Sequence, residues 1–255
     1  DLMLQSSLAD TLRKTLQQVK VSGPLKTQLN LYIPLNGEDV VAKGKVFLAE
    51  NQVELPNLAI SLEQTNGTVS FVNNKITARD LNAQLLQQPI QLAFTGAKHD
   101  DGYQTDINVQ GDWSVTPVLE TFSNGLIKYI SGSSHWTADI ALTLPKQGYE
   151  YSAKIFSELT QLSSDLPAPF AKTTGRSLPL LVTSQGNEQT SSIKVTLGQD
   201  VEFNGNLPHQ DMRFSRAHLA IGQSDLMGMG LGFSVSANLS DLDVSAWYKA
   251  VNTLI

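Results

Sequence analysis

Residues 25–35 read LKTQLNLYIPL, with Leu25, Leu29, Leu31, Ile33 and Leu35 on odd positions and Lys26, Gln28, Asn30 and Tyr32 between them. A period of two puts alternate side chains on opposite faces of an extended chain, so this stretch predicts a strand with one oily and one wet side. The same spacing returns in residues 42–48, in Leu58, Ile60 and Leu62, in Val69 and Phe71, in Ile90, Leu92 and Phe94, and in Tyr103, Thr105, Ile107 and Val109. It continues unchanged through Trp136, Ala138, Ile140, Leu142 and Leu144, then Tyr149, Tyr151 and Ala153, then Ile193, Val195 and Leu197, and finally Phe233, Val235, Ala237 and Leu239. About ten strands are expected, and the chain is read as mainly β.

Turn and cap chemistry supplies the punctuation. Asn-Gly pairs favour the positive φ angles of tight hairpins, so Asn36-Gly37, Asn66-Gly67 and Asn204-Gly205 are expected at hairpins between antiparallel strands. Asn124-Gly125 is different, because Val115, Val118, Leu119, Phe122, Leu126, Ile127 and Ile130 recur every three or four residues. That spacing predicts a helix capped by Ser114, with Pro117 in its first turn and a break at the Asn-Gly pair. Leu4, Leu8, Leu12 and Leu16 predict a second helix, and Trp247, Val251 and Leu254 a third, capped by Asp243 or Ser245. Residues 109–122 and 237–251 share a strand, a polar turn and an amphipathic helix, a loose repeat. The stretch 163–170, SSDLPAPF, is the one obvious break along the chain.

The 255 residues carry 18 Lys and Arg against 24 Asp and Glu, a formal charge of −6. That balance argues against a phosphate backbone as partner, because nucleic-acid binding needs a basic face. Charged residues make up only 16%, so Gln, Asn, Ser and Thr provide the wet side of the strands. The absence of cysteine excludes disulfides, thiol nucleophiles and zinc-thiolate sites, and is compatible with an oxidising compartment. No apolar run reaches the roughly 18 residues of a membrane-spanning helix. The chain starts Asp1-Leu2-Met3, without a basic region or cleavage site, and is expected to be an internal stretch of something longer.

No constellation for catalysis emerges. His99, His135, His209 and His218 stand apart, with no pair at metal-ligand spacing. His99-Asp100-Asp101-Gly102 is expected at a hairpin tip, and no Gly-x-Ser-x-Gly elbow accompanies Ser131 to His135. Gly228, Gly230 and Gly232 lack the spacing of a phosphate-binding turn and are read as glycines on one face of a strand. Asn66-Gly-Thr68 and Asn238-Leu-Ser240 are chance-level glycosylation triplets. No enzyme, metal or cofactor is expected.

What remains is an imbalance between oily surface and cover. Ten amphipathic strands present a long apolar face that three short helices hide only in part. A second sheet, closure into a barrel, or a bound acyl chain would each supply the cover, and periodicity does not choose among them. An acyl chain of roughly sixteen carbons, at about 0.8 kcal/mol per buried methylene, would contribute on the order of 12 kcal/mol before ordering costs.

Three separated stretches carry a resemblance: residues 19–35 (VKVSGPLKTQLNLYIPL), 67–78 (GTVSFVNNKITA) and 80–90 (DLNAQLLQQPI). In that order they are similar to the central region of YhdP-like proteins of the AsmA-like group, and residues 164–172 (SDLPAPFAK) resemble a further stretch typical of that family. The resemblance implies a long twisted antiparallel sheet curled into an open hydrophobic groove with a few short peripheral helices. It implies a periplasmic location, a parent anchored in the inner membrane of a Gram-negative bacterium, and passage of phospholipid toward the outer membrane. No binding residue is transferred from the family. From the alternation alone, Leu29, Leu31, Ile33, Val69, Phe71, Ile90, Leu92, Phe94, Ile107, Val109, Trp136, Ile140 and Leu142 are the expected lipid-facing residues. The whole of 1–255 is expected to be one groove segment, subdivided, if at all, into 1–132 and 133–255. Its expected partners are acyl lipid and neighbouring segments of the same parent chain. A β-sandwich that binds protein through an edge strand is the competing expectation.

Overall fold

The computed structural model describes residues 19–36, 39–56, 60–145, 147–222, 230–239 and 242–254. The chain is mainly β and falls into two compact units, Asp1–Val109 with Ala141–Gln147, and Gln110–Ile140 with Gly148–Ile255. In the first unit lie β1 (Lys20–Ser22), β2 (Lys26–Tyr32), β3 (Val41–Leu55), β4 (Ile60–Val72), β5 (Lys75–Leu85) and β6 (Gln88–His99), with the first part of β7 (Gly102–Ser114). They pair in the order β1, β3, β4, β5, β6, β7, and β2 shares the β3 edge with β1.

The second unit opens with α1 (Val115–Phe122), a 3-10 turn (Asn124–Lys128) and most of β8 (Ile130–Leu144). It continues through β9 (Glu150–Ser157), β10 (Leu162–Ser164), β11 (Leu180–Asn187), β12 (Thr190–Leu197), β13 (Val201–Pro208), β14 (Arg216–Gly222) and β15 (Gly232–Asn238) to α2 (Val244–Leu254). Strands β8, β9, β11, β12, β13, β14 and β15 are successive neighbours, and β10 lies on β8. From β9 to β14 the successive pairs are antiparallel, but β15 lies parallel to β14, which departs from the all-antiparallel expectation.

Several expectations are corrected by the register. Asn66-Gly67 is no hairpin: both residues lie inside β4, at a point where the pairing with β5 slips. Gly67 takes φ 134°, and a Cβ there would stand 2.6 Å from a Leu81 methyl, so glycine serves a bulge rather than a turn. The β4 to β5 turn sits instead at Asn73-Asn74. Asn204-Gly205 is likewise interior, paired on both sides within β13, where Gly205 makes room for the rings of Phe203 and Phe214. Asn36 is in a turn, while Gly37 lies outside the described residues, as do the predicted helix through Leu4 to Leu16, Leu58 and Gly228. Gly230 precedes β15 and Gly232 opens it, so neither makes a glycine face within the strand.

The helices follow their spacing more closely. α1 stops at Phe122 and the 3-10 turn begins at Asn124, so the break falls at the Asn-Gly pair. Ser114 holds the N-cap position, yet its side chain makes no capping bond. At α2 the cap is Asp243, whose carboxylate accepts the Ala246 N–H at 2.8 Å. The helix then docks through Trp247, which donates from its indole to the Ala168 carbonyl at 3.0 Å and meets the Phe170 ring edge to face. Its landing site is the 164–172 stretch, closed by paired backbone bonds between Ser164 and Lys172. Lys172 is only 5% exposed and donates to the carbonyls of Leu162 (2.6 Å), Thr173 (3.3 Å) and Thr160 (3.4 Å). Burial, with the Arg176 charge beside it, holds this amine below the usual lysine range.

Interior space in the first unit is allotted by glycine. A Cβ on Gly44 would collide with the Phe71 ring and stand 2.5 Å from the Gln28 carbonyl. Gly44→Ala is therefore expected to lower stability by about 1–3 kcal/mol, read from urea unfolding. Combining it with Phe71→Leu should recover only part of the loss, because the Gln28 backbone cannot yield as a ring can.

Candidate lipid-contact face

Cross-strand partners share a face of a sheet, so registers place the expected residues without further assumption. In the first unit Leu29 opposes Gly44, Gly44 opposes Phe71, Phe71 opposes Ile76, and Ile76 opposes Gly96. This single row crosses five strands and alternates bulky with small side chains. Leu31 opposes Ala42 and Val46 opposes Val69 on the same face, two residues to either side. On β6 the pairs Ala78 with Phe94, Leu81 with Leu92 and Ala83 with Ile90 extend it, a slip between Ala78 and Leu81 keeping Leu81 on the same side. The register thus brings Leu29, Leu31, Val69, Phe71, Ile90, Leu92 and Phe94 onto one surface. Ile107 and Val109 share the odd-numbered face of β7 with Tyr103, whose ring packs into the space left by Gly96. Leu142 lies in the first unit's part of β8, and Ile33 falls beyond the end of β2.

Trp136 and Ile140 belong to the second unit, alternating along β8 with the more exposed Thr137 and Asp139. The Trp136 ring meets Trp113 edge on, centroids 4.8 Å apart. A second row, which spacing within single segments does not reveal, lies in this unit. Ile155, Val182, Val195, Phe203, Leu219 and Val235 are successive partners across six strands, all apolar. This row ends in polar company toward the β11 to β12 hairpin. There Tyr151 contacts Ser184 (2.8 Å) and Ser191 (2.6 Å), and Ser191 contacts His209 Nε2 (2.7 Å). Because His209 Nδ1 donates to the Glu188 carbonyl at 3.0 Å, Nε2 accepts the Ser191 proton, and the chain of bonds is satisfied from within.

The opposite face has a different chemistry. It carries a His135 to Asp112 contact of 3.0 Å and a Lys194 to Glu202 bridge of 2.8 Å. Hydrogen bonds from Lys194 and Asn204 hold the Glu202 carboxyl below its ordinary range. A cavity of about 570 Å³ on that side has a mixed lining, Thr137, Asp139, Lys154 and Thr196 together with Phe156, Pro179, Leu181 and Gly198.

What sits deepest decides what the apolar face is able to do. Among the described residues about half of the buried apolar set is alanine (Ala42, Ala78, Ala83, Ala138, Ala217, Ala220 and Ala250), and the rest is Leu81, Ile90, Leu92, Tyr103, Leu119 and Leu166. Among the described residues the largest side chains below 2% exposure are Asn51 and Thr65, neither of them aliphatic. Leu31, Ile33, Leu35, Phe233 and Val235 all remain exposed. Such a surface offers broad contact area to an apolar partner.

No helix among the described residues is long and apolar enough to cross a membrane. No solved structure matches the chain. A protein of Escherichia coli strain K12 described as "Intermembrane phospholipid transporter YhdP" is 31% identical over 247 residues, covering 95% of this chain and 19% of that protein. The present chain thus spans about a fifth of the length of that relative. The family model described as "YhdP protein" matches residues 1–254, and the chain belongs to the YhdP family.

Proposed function

We propose that this chain is a segment of a periplasmic lipid-transfer bridge, in which phospholipid acyl chains lie against the apolar faces while headgroups stay in water. The observation that carries this reading is the composition of the buried set. A sandwich would bury nearly all its leucines, isoleucines and phenylalanines against a second layer, whereas here, among the described residues, alanine makes up about half of the buried apolar set and Leu31, Ile33, Phe156, Phe233 and Val235 stay exposed. The similarity to a protein described as an intermembrane phospholipid transporter supports phospholipid as the cargo. The action is passive. Similar aliphatic side chains along a row offer no deep single well, so a tail passes from one contact to the next.

Native mass spectrometry of the 255-residue chain after exposure to phospholipid vesicles tests this. Diacyl phospholipid should remain bound and be recovered in the organic extract. Protein that emerges lipid-free from repeated exposure overturns the reading.

A further inference from the structure

Buried polar atoms in folded proteins almost always have a partner, and those without one call for an explanation. Tyr103 is 9% exposed, its ring fills the dent left by Gly96, and its hydroxyl proton meets no acceptor. The Trp136 indole N–H is also enclosed and unpartnered, beside the Trp113 ring. Both residues lie on the apolar faces described above, and both orphaned groups are donors in want of an acceptor. The two other orphaned atoms fit this pattern less well: Asn74 Oδ1 is itself an acceptor, and Thr65 Oγ1 sits beside Asn51 at the β3 to β4 bulge.

We propose that the Tyr103 hydroxyl and, independently in the second unit, the Trp136 N–H each donate to an ester carbonyl oxygen of a diacyl lipid. This rests on the lipid-shielding reading and names the part of the lipid that is recognised. An ester oxygen suits the site because it is uncharged. Burial pushes the Tyr103 hydroxyl up to about 12, against a small opposing pull from the Ile76 backbone, so its surroundings resist charge and a phosphate oxygen would be poorly hosted. Both rings turn about two side-chain torsions. A turn that lifts the donor to the surface leaves an apolar dent behind it, which a methylene group fills.

The test compares a diacyl phosphatidylglycerol with its dialkyl ether counterpart, which keeps chains and phosphate but lacks the carbonyls. The unmodified 255-residue chain should retain the ester lipid about 2- to 10-fold better per donor, the size expected for one net hydrogen bond. Tyr103→Phe should reduce that preference, Trp136→Phe should reduce it separately, and the double variant should abolish it. Without lipid, Tyr103→Phe should melt at the same temperature or higher, since it removes a donor that nothing satisfies. Equal retention of both lipids by the unmodified chain overturns the carbonyl assignment and leaves the lipid-shielding reading standing. Retention of neither lipid overturns both. A preference that survives in the double variant, or a lipid-free Tyr103→Phe that melts lower, also overturns it.

Discussion

Replacing Asn51 with leucine is expected to lower the unfolding free energy by about 3 kcal/mol, the sum of several lost bonds to partly rehydrated backbone groups. Asn51 is 0% exposed. Its amide donates to the carbonyls of Ser22 (3.0 Å) and Pro24 (3.1 Å), and its oxygen accepts the Ala49 N–H (2.8 Å). These bonds fasten the corner between β1 and β2 to the bulge in β3, where Glu50 takes φ 56° and the register with β4 slips. A leucine of similar size fills the space but leaves three polar groups without partners. Ser22→Ala removes nothing from this arrangement, because the bond is to the Ser22 backbone, and should stay within about 0.5 kcal/mol of the parent. Urea unfolding measures both, and hydrogen exchange at residues 20–22 should accelerate in Asn51→Leu alone. A loss below about 1 kcal/mol would mean that water replaces the side chain at little cost.

Two aspartates placed on one face should separate folding from lipid retention. Ile90 is 3% exposed and faces Ala83, so Ile90→Asp forfeits its burial and leaves an unpaired charge, a loss of at least about 4 kcal/mol. Domains of this size have only about 5–15 kcal/mol in hand, so this variant is expected to be largely unfolded at elevated temperature. Leu31 is 53% exposed on β2, where a carboxylate stays hydrated, and Leu31→Asp should cost less than about 1 kcal/mol. Its effect on bound lipid should nonetheless be tenfold or more, because a tail resting there must strip water from the charge. Circular dichroism melts and quantified lipid extraction read the two quantities separately. A folded Leu31→Asp chain that keeps its full complement of lipid removes Leu31 from the contact surface.

The strands visible in the sequence are those with an unbroken oily period. β2, β6, β7 and β8 have large apolar residues at every second position or nearly so. β5, β11, β13 and β14 passed unnoticed because alanine, serine, glycine or histidine stands where the period needs bulk: Ala78 and Ala83 in β5, Ser184 and Gly186 in β11, Gly205 in β13, Ala217 and His218 in β14. At Gly205 the missing side chain is what lets the Phe203 and Phe214 rings approach, so there the feature that hid the strand also shapes the surface. The two misplaced hairpins have different origins. At Asn66-Gly67 the tolerance of positive φ serves a bulge instead of a turn, and at Asn204-Gly205 the missing side chain makes room for the Phe203 and Phe214 rings. The row through Val182, Phe203 and Leu219 could have been found by aligning successive strands on their cross-strand partners, but register is set by pairing and is invisible to a scan of single segments.

The row from Ile155 to Val235 resembles a ladder seen from the side. Neighbouring strands stand about 4.8 Å apart, so its six rungs extend roughly 24 Å. A hydrocarbon tail laid across several rungs trades one contact for the next as it shifts, and the sum of its contacts hardly changes. Drag on such a washboard is governed by how alike the rungs are, so a single oversized or undersized side chain should retard sliding more than its own binding contribution predicts.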